Sequence, residues 1–353
     1  MLELKRFNKG VHMAEKKTLR ATMKDVADRA GVTIGTVSHV INHTASISEE
    51  TTRRVRKAIE ELNYVPNNIA RNMRAKTNNR VGLMIPNLTN NFHASIASLF
   101  VDLADQNNYV VHIMGYEYSV DREKDELRSL MEYNVGTIVI VNGFGDEKFI
   151  DELLDRGIHV ILADRRTNMQ GVSYVEYDNK RVYRDIISML KGKGYRSIGY
   201  ISEALDIINI YDRYWGFQKA MEEFGYQVNP EHIYISKRFC LDNAKNGYLY
   251  VKELLEKKKK EELPDVFIAS SDLLAIGVMR ALYEAGYKVP GDFGVIGCDD
   301  LQISAFTQPG LTTISQNRER LCQELWKMIL AKNRGEQVEN VVLPQKMILR
   351  ESC

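Results

Sequence analysis

A chain of 353 residues, 44% hydrophobic and 27% charged, has the composition of a soluble globular protein of about two or three domains. No apolar run approaches the roughly 20 residues that cross a bilayer, and the opening segment has no apolar core of about seven residues like that of a secretory signal. No membrane contact is expected, and the chain is placed in the cytoplasm. The net charge of +1 hides an asymmetry: residues 1–80 hold 16 Lys and Arg against 8 Asp and Glu, while the remainder holds 32 against 39. A basic head on an acidic body suits a polyanion-binding module, because each cation placed at a phosphate releases condensed counterions. A solvated basic surface is the other reading of charge alone.

Residues 1–20 form a basic extension with no periodic pattern, expected to be disordered. Thr22 and Asp25 then have the spacing of a capping box, and Val26, Ala27 and Ala30 recur at helical spacing up to the breaker Gly31. Thr33 can cap a second helix with Val37, Val40 and Ile41 on one face and Ile34, Gly35, Ser38 and His39 on others. Ser48, followed by Glu49 and Glu50, caps a third helix striped by Val55, Ala58, Ile59 and Leu62. Two small helices around a glycine turn, the second presenting short polar side chains, predict a helix-turn-helix domain over residues 21–65, whose second helix fits a major groove. Residues 66–80 follow as a hinge, with Ile69, Ala70 and Met73 on one side of about two helical turns. So short a helix forms only against a partner; a plain linker is the alternative.

From residue 81 the pattern changes. "RVGLMIP", "YVVHIMG", "GTIVIVN", "HVILAD", "SIGYIS", "DVFIAS" and "FGVIGC" are short apolar runs, each followed by a helical pattern. Continuous apolar strands bracketed by helices predict an α/β body of two doubly wound parallel sheets with a cleft between them. Polar residues cluster after the strands: Asn87, Asn90, Asn142, Asp164, Asp178, Ser271, Asp272, Asp299 and Asp300. Such groups can bind a hydroxyl-rich ligand, or each can simply cap the helix that follows. No GxxxxGK[ST], HExxH, GxSxG or strand-borne GxGxxG motif occurs, so neither catalytic residues nor a cofactor are expected. Cys240, Cys298, Cys322 and Cys353 stand far apart with no CxxC pair, as expected of reduced structural thiols without a metal site.

Three segments, "MKDVADRAGVTIGTVSHVIN", "SEETTRRVRKAIEELNYVPNNIARNMR" and "VPGDFGVIGCDDLQISAFTQPGLTTISQN", together resemble the lactose-repressor/galactose-repressor (LacI/GalR) family of bacterial transcription regulators, from Thr22 to the C-terminus. The resemblance implies a DNA-binding regulator, expected to be a repressor, that holds a pseudo-palindromic operator as a homodimer. It also implies a two-lobed body of periplasmic-binding-protein type that binds a small effector, sugar-like in class, and controls the head allosterically. It places Ile34, Gly35 and His39 at base edges, and Thr33, Thr36, Ser38, Asn42, Ser48, Tyr64 and Asn67 at phosphates. Ala70 and Met73 fall on the hinge, Met73 at the minor-groove wedge. His39 stands where the family usually has arginine, which replaces a two-bond grip on guanine by at most one.

In the cleft the resemblance implies effector contacts from Phe92, His93, Asp164, Arg213, Ser271 and Asp299, and the reading of polar residues after strand ends adds Asn142. Around "FCLDNAKNG" the family often has a ligand-stacking aromatic, for which Phe239 or no residue serves here. Lobe one is expected over about 81–177 and 311–335, and lobe two over about 178–310 and 336–353. A soluble sugar-binding receptor without DNA regulation is the alternative, which would need an export signal and no head.

Overall fold

Side-chain caps set the helix boundaries of the head. The computed structural model describes residues 21–42, 44–64, 78–143 and 146–353, and the chain divides into two units between residues 76 and 77. In the first unit, α1 (Met23–Ala30) opens on a reciprocal box: the Asp25 N–H donates to Thr22 Oγ1 at 3.3 Å, and the Thr22 N–H donates to the Asp25 carboxylate at 2.7 Å. Gly31 ends the helix at φ 67°, a left-handed turn that glycine takes without steric cost. Helix α2 (Ile34–Asn42) opens at Thr33, whose hydroxyl accepts the Thr36 N–H at 3.2 Å. Helix α3 (Glu49–Glu61) opens at Ser48, which accepts the Thr51 N–H at 3.4 Å.

Val26, Ala27 and Ala30 of α1, Val37 and Val40 of α2, and Val55 and Ala58 of α3 close one core with Tyr64. The Arg29–Glu61 ion pair, at 2.6 Å, joins α1 to α3 at the surface. Residues 1–20 and 65–77 lie outside the described residues, and with them the expected extension, most of the hinge, and Asn67, Ala70 and Met73.

The second unit holds two six-stranded sheets. The first contains β1 (Arg80–Ile85), β2 (Val110–Gly115), β3 (Thr137–Val141), β4 (His159–Ala163), β5 (Ser173–Tyr177) and β11 (Val341–Leu343), in the order β11-β5-β4-β3-β1-β2, all parallel. The second contains β6 (Ile198–Ser202), β7 (Ile233–Ile235), β8 (Val266–Ala269), β9 (Gly294–Cys298), β10 (Thr312–Ser315) and β12 (Lys346–Ile348), in the order β12-β10-β9-β8-β6-β7. Only β10 and β12 pair antiparallel. All seven apolar runs are strands. Strand order reverses between β1 and β3 and again between β6 and β8, and the crevice at such a reversal is where open α/β sheets bind ligands.

Helices α4 (Asn91–Gln106), α5 (Val120–Glu132) and α6 (Glu147–Asp155) belong to the first lobe. Helices α7 (Asn179–Gly192), α8 (Ile208–Glu223), α9 (Asn243–Lys257) and α10 (Asp272–Glu284) belong to the second. Gly277 lets α9 and α10 close together: a Cβ there would lie 2.2 Å from the Ala244 carbonyl oxygen.

The lobe boundaries differ from those expected. Residues 312–315 do not return to the first lobe; they form β10, parallel to β9, with Thr312 and Thr313 fully buried in the second sheet. The return is made by α11 (Arg318–Asn333), whose Trp326 indole N–H donates to the Phe100 carbonyl of α4 at 3.1 Å. Residues 341–343 likewise stay with the first lobe as β11, beside β5, and only β12 goes back. Long-range strand pairing fixes these exits, and a local apolar pattern does not report which sheet a strand joins.

Candidate functional site

The head presents one polar face. Ile34 is 47% exposed, and Thr33, Gly35 and His39 are exposed beside it, while Val37 and Val40 point into the core. Thr33 and Thr36 share a hydrogen bond at 3.0 Å, and His39 Nδ1 lies 2.9 Å from Thr44 Oγ1, so the imidazole is oriented by the loop after α2. Ser38 is half-buried, and the Asn42 side chain lies outside what is described. The Ser48 hydroxyl donates to Thr51 Oγ1 at 3.0 Å while capping α3. Tyr64 is packed in the head core, so only its hydroxyl could reach a phosphate.

In the body, three polar residues leave their strands in unusual conformations. Asn142 after β3, Asp164 after β4 and Asp299 after β9 have φ of 62°, 53° and 120°. Non-glycine residues rarely adopt positive φ, and Asn and Asp tolerate it best; such strain concentrates at functional sites. All three are buried, as are His93, Arg213, Asn209 and Glu203.

The cluster joins both lobes. Arg213, on the second-lobe helix α8, donates through Nη1 to the Ser270 carbonyl at 2.7 Å. Its Nη2 lies 3.5 Å from the carboxylate of first-lobe Asp164, and Nη1 lies 3.9 Å from Asp299. Asn209, a turn earlier on α8, donates to Asp164 at 2.9 Å. The Arg166–Asp212 pair, at 3.0 Å, ties the same strand exit to the same helix. In the first lobe, Asn142 Nδ2 and His93 Nε2 are 3.4 Å apart, and Arg165 donates to the Asn142 carbonyl at 3.3 Å.

Burial dominates the electrostatics. It raises Asp164 to about 6 against the pull of Arg213, and it pushes Asp299 and Glu203 above the usual carboxylate range. Burial lowers His93 to about 4, so its imidazole is neutral near pH 7.

One family model matches within each unit: "Bacterial regulatory proteins, lacI family" over residues 22–67 and "Periplasmic binding protein-like domain" over residues 187–353. The chain is 28% identical to the HTH-type transcriptional regulator RegA of Clostridium saccharobutylicum, an alignment covering 95% of this chain and 99% of that protein. It is 27% identical to catabolite control protein A of Priestia megaterium, with the same coverage of both. It is 29% identical to the ribose operon repressor of Halalkalibacterium halodurans, covering 94% and 96%. Among solved structures, the Lac repressor dimer bound to operator and the anti-inducer ONPF superposes with a TM-score of 0.79 at 25% identity, covering 94% of this chain and 98% of that one. The CelR–cellobiose complex superposes at 0.68 with 26% identity, covering 95% and 100%.

The chain belongs to the LacI/GalR family. Its relatives are transcriptional regulators and not enzymes, and no described helix is long and apolar enough to cross a membrane.

Within this LacI-family body the expected cleft residues divide. Asp164, Arg213 and Asp299 come together, and His93 pairs with Asn142. Phe92 packs in the first-lobe core, with the Arg318 guanidinium 5.8 Å from its ring centre. Ser271 caps α10, accepting the Leu274 N–H at 3.3 Å, and Asn90 and Asp178 cap α4 and α7. Asp272 is held by Leu301, Ser304 and Thr313 and is structural. Phe239 is fully buried in the second-lobe core against Tyr250, and so is not a ligand-stacking aromatic.

Three residues escape the sequence reading. Glu203 immediately follows β6 and obeys the positional rule that marks the others. Asn209 sits inside a helix, where no local signal distinguishes it. Tyr118, in the loop after β2 at φ 53°, is a first-lobe residue influenced by Glu203, Cys240 and Asp299 of the second lobe.

Proposed function

We propose that this chain is a repressor that binds a pseudo-palindromic operator as a homodimer and is released or engaged by a small polyhydroxylated effector held between its lobes. Thr33, Ile34, Gly35, Thr36, Ser38, His39, Asn42, Ser48 and Tyr64, with Asn67, Ala70 and Met73 of the hinge, are the proposed DNA contacts. His93, Asn142, Asp164, Arg213 and Asp299 are the core of the proposed effector site, with Ser271 and Phe92 behind it.

One observation carries the effector reading. A guanidinium, two carboxylates and several amides converge, buried, at strand exits of both lobes, which supplies paired donors and acceptors for hydroxyl groups. A ligand gripped from both sides biases the lobe arrangement by its differential affinity. A hundredfold effect on DNA binding requires roughly 2.7 kcal/mol of coupling.

Selection of bound sites from random duplexes, followed by competition with sugars, tests both halves. A palindromic consensus whose affinity shifts with a sugar supports the reading. Duplex binding without any preferred palindrome overturns it.

A further inference from the structure

Counting the buried charges in the cleft leaves an imbalance. Asp164, Glu203 and Asp299 are each at least nine-tenths buried at strand exits, and Arg213 is the one cation that the ion pairs among described residues set against them. Arg165 does not redress this: it turns toward Asn142 and Glu123 in the first lobe. Glu203 has no ion pair among the described residues; it accepts the Asn243 side-chain amide at 2.7 Å and the Ser270 hydroxyl. Ser270 also offers its carbonyl to Arg213, so Glu203 is wired into the cluster. Independently of the carboxylates, Asn209 Oδ1, Asn142 Oδ1 and Arg213 Nε are buried polar atoms without a hydrogen-bond partner among the described residues. They mark the cluster as a ligand-facing surface.

A buried carboxylate without a matching cation must take up a proton or meet positive charge from elsewhere. A phosphate or carboxylate on the ligand would set further negative charge against acids that burial already disfavours as anions, whereas an ammonium group would supply the cation that lets them ionise.

We propose that Glu203, with Asp164 and Asp299, sets the charge class of the effector: the cleft takes an amine-bearing polyol such as an amino sugar, tolerates the uncharged sugar, and rejects sugar phosphates and sugar acids. The proposal rests on the cleft being the effector site.

The test uses the full-length protein and matched probes: glucosamine, glucose and glucose 6-phosphate, then the corresponding galactose and mannose sets, each titrated by calorimetry. In any set that binds, the amine is expected to bind at least about tenfold more tightly than the phosphate, a gap of roughly 1.4 kcal/mol, with the neutral sugar between them. Glu203→Gln keeps an acceptor for Ser270 and is expected to narrow that gap mainly by weakening the amine. A phosphate that binds as well as the neutral sugar overturns the proposal, as does an order unchanged in Glu203→Gln or the absence of binding in every set. Arg213→Lys and Asp164→Asn separate the two readings. If they weaken a bound sugar while the order is wrong, only the charge inference fails; if they leave its affinity untouched, the cleft reading itself fails.

Discussion

Arg213 of the second lobe and Asp164 of the first lie 3.5 Å apart, both buried, so a buried ion pair bridges the cleft from helix α8 to the exit of strand β4, beside the more exposed Arg166–Asp212 pair. Arg213 also serves Asp299 and the Ser270 carbonyl, whereas Asp164 retains the Asn209 amide if the guanidinium is lost. The two partners are therefore unequal. Arg213→Met strands two buried carboxylates and is expected to cost about 3–5 kcal/mol, the range for breaking a buried pair. Asp164→Asn, which leaves Arg213 beside Asp299, is expected to cost less. Urea unfolding of the two variants checks the order, and equal losses would contradict it.

Stability should depend on pH in two opposed ways. Burial raises Asp164 from 3.8 to about 6, so its contribution is complete below about pH 3.8 and is lost as pH climbs through about 6. Relative to the wild type, Asp164→Asn should therefore gain on the order of 3 kcal/mol across that interval, at about 1.4 kcal/mol per unit. Burial lowers His93 from 6.5 to about 4, so its contribution is complete above about pH 6.5 and is lost as pH falls through about 4. His93→Gln should flatten that acid limb. Unfolding free energies measured from about pH 4 to 7 give both differences.

His39 is exposed and oriented by Thr44. Replacing it with arginine supplies two donors in a fork that matches guanine O6 and N7, and a good bidentate contact is worth about 1–3 kcal/mol of base discrimination. His39→Arg is expected to gain a guanine preference at one position of each half-site and leave the others unchanged. Sites selected from random duplexes by the two proteins show whether only that position moves.

The Ser48 hydroxyl both caps α3 and stands at a proposed phosphate contact. Ser48→Ala is expected to lower head stability by about 1 kcal/mol through the lost cap and to weaken DNA binding equally for all sequences, since phosphates carry no base identity. A sequence-dependent loss, read by anisotropy on cognate and scrambled duplexes, would argue against the phosphate role.

Gly277 should resist a change that helix propensity favours. Alanine gains up to about 1 kcal/mol in a helix interior, but here its Cβ would meet backbone of α9, the Ala244 carbonyl at 2.2 Å and the Tyr248 nitrogen at 2.7 Å. Overpacking against rigid backbone costs about 1–3 kcal/mol or more, so Gly277→Ala is expected to be destabilising in denaturant titrations.

The sequence showed the long-lived periodicities and missed what depends on distant partners. Six of the seven strands read from apolar runs lie inside their sheets and are legible because strands covered on both faces need unbroken apolar runs, as in "TIVIV" and "GVIGC"; β2 has such a run although it lies at a sheet edge and is only partly buried. Strand β5 alternates buried and half-buried residues, and β11 and β12 have three residues each, too few for a period. Asn142, Asp164 and Asp299 could be found because a polar residue directly after a buried strand is a local signal. Asn209 could not, since it acquires its place only when α8 meets Asp164 of the other lobe. The caps at Thr22, Thr33 and Ser48 were readable for the opposite reason: donor and acceptor are three residues apart.

The interleaved path of the chain has a consequence for biosynthesis. The first lobe seats Trp326 against Phe100 and Tyr109, and pairs β11 with β5, using residues that follow nearly all of the second lobe. While it emerges from the ribosome, the first sheet must wait with an apolar flank and an open edge until α11 and β11 have been made. A nonsense codon or proteolytic nick shortly after Leu311 would therefore damage the lobe that was made first.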